Sequence, residues 1–128
     1  MSASTAYDPN NVFARILRGE IPNKTVHEDE HTLAFHDIAP QAPVHVLVIP
    51  KGAYVDMQDF SENATDTEIV AFSRAIGKVA AIIGCAGDGY RTISNIGAHG
   101  HQEVPNLHVH ILGGRPLGSM LTVPEQGV

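Results

Sequence analysis

Cysteine is almost absent. The 128-residue chain has one, Cys85, so no intrachain disulfide can form, and the CxxC pairs of a zinc ribbon are missing. Positive charge is also scarce: eight lysines and arginines stand against fourteen acidic residues, a net charge of −6. That leaves no basic stripe to displace counterions from a nucleic-acid backbone. A small phosphate ligand stays open, because backbone amides and a few polar groups hold one without net positive charge. No apolar run is long enough to cross a bilayer. The first ten residues, MSASTAYDPN, have neither the basic start nor the hydrophobic stretch of a targeting segment and read as a flexible tail. The 43% apolar content is ordinary for a folded chain, and the length suits one domain with a modest core. A single cytoplasmic domain, with no nucleic-acid or membrane partner, is expected.

Histidine is what the chain has in excess. Eight occur: His27, His31, His36, His45, His99, His101, His108 and His110. The last two fall in NLHVHILGG, residues 106 to 114, inside an otherwise aliphatic run.

Asn10 or Asn11 can cap a short helix whose apolar Phe13, Ile16 and Leu17 lie three and four apart, with Gly19 as a stop. KTVHE and TLAFHD read as two strands around a polar turn at Asp29 to His31. The two prolines of IAPQAP favour an extended loop, and VHVLVIP is a third strand. From Thr65 the period changes: Ile69, Phe72, Ile76, Val79 and Ile83 make the stripe of one long helix running to about Cys85. YRTISN and LHVHIL are a fourth and a fifth strand, joined by the glycine-containing loop IGAHGHQEVP. One short and one long helix, with about five strands and little βαβ alternation, predict an α+β domain on a mostly antiparallel sheet. The tail from residue 119 carries Met120 and Leu121, and with Leu117 these predict docking on another surface, such as a second subunit.

Alternate residues of a strand share a face. Leu107, Val109 and Ile111 therefore point one way, and Asn106, His108 and His110 the other. His45 is a candidate to join them, although alternation says nothing of strand order. Three readings remain open on spacing alone. The histidines can lie on a solvated strand face. They can bind zinc, with His45 or Glu103 as a third ligand. Or a neutral ring nitrogen, available because free histidine titrates near 6.5, can attack phosphorus.

PNLHVHILGGR resembles the signature of the histidine triad (HIT) superfamily, in which three histidines alternate with apolar residues on one strand. VFARILRGEIP, LAFHDIAPQAPVHVLVIPK and GYRTISNIG are similar to further family segments, in the right order, across residues 11 to 118. The match is most similar to the HINT branch of homodimeric purine nucleoside phosphoramidate hydrolases. The resemblance implies that His108 is the nucleophile, that His110 contacts the phosphate and that His45 backs the site. It places Asp37 on the ribose hydroxyls and His36 beside it in the nucleotide pocket. Phe13, Ile16, Phe35 and Ile38 become walls for the base. Asn95 faces ribose and phosphate, and Gln102 and Glu103 lie in the loop bordering the phosphate. A carboxylate suits a diol and repels a phosphate, so Asp37 is expected away from the reacting end.

The departures are as informative. Asn106 stands where the family has its first histidine. It cannot titrate, yet its main-chain carbonyl can still orient the His108 ring. His101 and Glu103 replace small residues, and the two form an expected compensating pair. Asn11 and Ala14 stand where some relatives carry zinc-binding cysteines, so no metal and no cofactor are expected. The resemblance implies a two-step, metal-free hydrolysis through a nucleotidyl-histidine. A nucleotide-binding protein with little turnover is the alternative that Asn106 favours, and a zinc hydrolase is a third reading.

Overall fold

The computed structural model describes residues 6–121. Asn11 opens the first helix, α1 (Val12–Leu17), its Oδ1 accepting from the amides of Phe13 and Ala14 at 2.9 and 3.0 Å. Gly19, at φ 78°, lets the chain leave. A hairpin follows, β1 (Thr25–Glu28) and β2 (Thr32–His36), its turn closed by the Asp29 carboxylate accepting from the His31 and Thr32 amides. β3 (Val44–Pro50) comes next. The short helix α2 (Met57–Asn63), the long α3 (Asp66–Ile82), β4 (Arg91–Ile93) and β5 (Val109–Gly113) complete the domain.

The sheet order is β1-β2-β3-β5-β4 with every neighbouring pair antiparallel, so the architecture is α+β as expected. β5 enters between β3 and β4, which makes β3 and the histidine strand direct neighbours. The register pairs Leu47 with His110 and His45 with Leu112.

Pleating then divides the core. Val46, Val48, Val109, Ile111 and Leu107 face α2 and α3, packing with Phe60, Phe72, Ala75 and Val79. Each such side chain taken out of water contributes roughly 1.5–3 kcal/mol. On the opposite face Leu33, Phe35, Leu47 and Ile49 pack with Phe13 and Ile16 of α1. His45, His108 and His110 belong to this second face, where Phe13 of α1 packs against His108.

Two details differ from the sequence reading. Among the described residues there are three helices, the extra one being α2, capped by Asp56, whose side chain accepts from the Asp59 amide. It buries only Phe60, too little to make a stripe. β4 and β5 are shorter than YRTISN and LHVHIL: Asn106 lies in a bend, and the ladder begins only at Val109. Met120 and Leu121 are 80% and 75% exposed, so they pack on nothing among the described residues and stay open to a second subunit. Residues 122–128 of that predicted tail, and 1–5 of the N-terminal one, lie outside the described residues. Among the described residues no helix is long and apolar enough to cross a membrane.

Candidate active site

His108 is buried, unlike a residue of a solvated strand face. Its Nδ1 lies 2.8 Å from the main-chain carbonyl of Asn106. A carbonyl only accepts, so the ring proton sits on Nδ1, and Nε2 keeps its lone pair. Phe13 meets the ring in an edge-to-face arrangement at 4.9 Å between centroids, and the His110 ring lies 5.0 Å away. Burial pushes the His108 imidazole below its ordinary 6.5. The hydrogen bond to Asn106 and the charges of Asp37 and Glu103 oppose that shift without cancelling it. The geometry therefore presents a neutral imidazole with a free Nε2.

His110 is tied to β3. Its Nδ1 lies 2.9 Å from His45 Nε2, while His45 Nδ1 accepts from the Gln41 amide at 3.0 Å. The amide fixes the tautomers in sequence. His45 Nδ1 has no proton, so Nε2 carries it and donates to His110 Nδ1, which leaves the His110 proton on Nε2. Burial, then repulsion from His108 and His45, pushes His110 down to about 4. Asp37 stands beside this pair, Oδ2 being 3.4 Å from His45 Nε2. That corrects the expectation that Asp37 lies away from the reacting end; it borders the imidazoles, and its Oδ1 also accepts from the Ala39 amide.

The ligand atoms of Asp37, His45 and His110 all lie within 4.8 Å of one another, and His108 is not in the group. A cation on His45 Nε2 would have to displace the proton that the Gln41 amide places there. The donor set fits a hydrogen-bond relay better than a metal.

The remaining predicted residues divide. Phe13, Ile16 and Phe35 are buried in the core beneath the site, whereas Ile38 is 100% exposed and packs on nothing among the described residues. His36 is exposed and Asn95 half-buried. The Gln102 carboxamide shapes its own loop: Oε1 accepts from the Gly97 amide, and Nε2 donates to the carbonyls of Val55 and Val104. Glu103 and His101 do approach each other, at 3.9 Å, but both are largely exposed, so the pair is weak.

The HIT domain model matches residues 18–117. The chain belongs to the HIT family. It is 45% identical over 113 residues to the purine nucleoside phosphoramidase of Escherichia coli K12, covering 86% of this chain and 92% of that one. An uncharacterised HIT-like protein of Azospirillum brasilense is 66% identical over 116 residues, covering 91% and 95%. Among solved structures, a HIT family hydrolase from Clostridium thermocellum superposes with a TM-score of 0.80 at 38% identity, covering 88% and 97%. A histidine triad protein from Clostridium difficile gives 0.79 at 39%, covering 89% and 98%. In reaction class the chain is a HIT-family hydrolase.

Three groups of this HIT site carried no signal as site residues in the sequence. Gln41 acts through its main-chain amide, which any residue supplies. Tyr7 reaches Asn106 across ninety-nine positions. Asn11 reads as a helix cap, which it is, but its Nδ2 also reaches Asn106.

Proposed function

We propose that this HIT protein hydrolyses the P–N bond of purine nucleoside phosphoramidates through a covalent nucleotide on His108. The observation that carries the reading is the bond from His108 Nδ1 to the Asn106 carbonyl, in a ring that burial keeps neutral. It leaves Nε2 as the attacking atom. Nε2 bonds to the α-phosphorus, the P–N bond breaks, and the amine takes a proton as it departs. Water then attacks the same phosphorus, releasing the nucleoside monophosphate and restoring the imidazole.

His110 Nε2–H suits a phosphoryl oxygen, where a preorganised donor stabilises developing charge. Each Asp37 oxygen has two lone pairs, so it can take ribose hydroxyls while bordering His45. The bare side chain of Ile38 supplies the apolar face that a purine covers. The similarity to the E. coli purine nucleoside phosphoramidase supports the same substrate class. The reading includes a homodimer, supported by the exposed sheet edge at β4.

A single-turnover reaction with an adenosine phosphoramidate, in chelator, tests it. AMP release by the parent and none by His108→Ala is expected. If AMP binds but the parent releases none from the phosphoramidate, the protein is a nucleotide binder and the hydrolytic reading fails.

A further inference from the structure

We infer that Tyr7, Asn11 and the Asn106 carboxamide form a brace that positions the His108 nucleophile, making the segment before α1 part of the working site. Its kinetic consequence rests on the hydrolase reading above; its structural consequence does not.

Asn106 is fully buried, at 0% exposure. Its Oδ1 accepts from the Tyr7 hydroxyl at 2.7 Å and from Asn11 Nδ2 at 3.2 Å, and its Nδ2 donates to the Leu107 carbonyl at 3.0 Å. Asn11 Nδ2 donates also to the Asp8 carbonyl at 2.9 Å, while Asn11 Oδ1 caps α1. One carboxamide thus fastens the N-terminal segment, the first turn of α1 and the chain leading into β5. The boundary expected after residue 10 falls inside this network.

The main chain of the same residue holds the nucleophile. The Asn106 carbonyl fixes both the tautomer and the direction of the His108 ring. The Asn106 amide donates to the Val104 carbonyl, and the Leu107 amide to the Tyr54 carbonyl, both at 2.8 Å. Its main chain is therefore held on both sides, and the carboxamide supplies a third hold from α1. Because α1 also brings Phe13 against His108, the Asn11 cap sets two of the ring's neighbours at once.

Asparagine suits this place on chemical grounds. A carboxamide oxygen accepts two donors while the nitrogen donates, at any ordinary pH. A neutral imidazole has one accepting nitrogen, and an imidazolium has none. Asn106 is in this light a clamp that does not titrate, rather than a triad position left empty.

Three variants of the full chain test the brace. Tyr7→Phe removes one bond to Oδ1. Asn11→Ser keeps a capping hydroxyl for α1 but loses the bond to Asn106. Asn106→Asp keeps the shape and removes the donor. Two readouts are taken below the melting temperature: kcat and KM with the phosphoramidate, and the 15N resonances of the His108 ring. Each variant is expected to lower kcat roughly tenfold, by misdirecting the attacking atom, with KM within about twofold. The ring should also lose its single Nδ1–H signature. Parental kcat and 15N pattern in Tyr7→Phe and Asn11→Ser, with only the melting temperature lowered, would overturn the proposal. If the parent itself does not turn over, the hydrolase reading fails while the 15N comparison still decides the brace.

Discussion

Two imidazoles, His108 buried and His110 half-buried, make both rate and stability depend on pH, and in the same direction. His110 titrates near 4 in the fold and near 6.5 when free, so the unfolded chain takes up that proton first as the solution is acidified. Stability is full above about pH 6.5 and falls until His110 itself protonates near pH 4, a loss of roughly 2 kcal/mol after allowing for its partial exposure. The melting temperature at pH 5 should lie several degrees below that at pH 7.5, and His110→Asn should flatten the slope; an unchanged slope would contradict a neutral, half-buried His110. For the rate, only neutral His108 attacks, and burial lowers its titration. The acid limb of kcat/KM should therefore lie below pH 6.5. Alternation alone made the shared face of Asn106, His108 and His110 legible in the sequence, while the part played by the Asn106 carbonyl followed from the resemblance to the HIT family. The partner strand with His45 came from the resemblance and the Tyr7 contact from nothing in the sequence, because periodicity within a segment carries no information about what lies across the sheet.

Legibility of an element follows how much of its order comes from its own residues. α3 has a long apolar stripe and a capping box, so its period shows in the sequence. α2 has seven residues and one buried side chain, and its existence depends on the Asp56 cap and on Phe60 meeting Tyr54 and Phe72. The sheet order, with β5 between β3 and β4, is a tertiary outcome that no local pattern encodes. At α3 the cap is linked to the site. Thr65 Oγ1 accepts from the Glu68 amide at 3.1 Å, Glu68 Oε1 accepts from the Thr65 amide at 3.0 Å, and the Tyr54 hydroxyl donates to the same Oε1 at 2.7 Å. The Tyr54 carbonyl in turn receives the Leu107 amide. Thr65→Ala should lower unfolding stability by about 1 kcal/mol in urea titration, with kcat unchanged because Glu68 still holds Tyr54. A loss of kcat larger than the loss of stability would show that the cap, too, positions the strand.

Among the described residues the sheet is open at both edges, and the two edges differ in a way that bears on assembly. β1 is interrupted by a register shift between Thr25 and His27, an irregularity of the kind that discourages strand addition. β4 carries no such shift. It is three residues long, and Tyr90 and Ile96 beside it are 39% and 37% exposed. On α3, Val70 and Ile82 are 50% and 59% exposed. A small domain that leaves an uninterrupted edge and large apolar side chains in water gains from covering them with a second copy. The full chain should sediment as a dimer at micromolar concentration. Ile96→Asp, which places a charge beside the β4 edge without touching the core, should shift it towards monomer. A monomeric parent would remove the homodimer from the reading and leave the β4 edge guarded only by its shortness. A dimer unaffected by Ile96→Asp would move the interface away from that end of the strand, to the exposed side of α3.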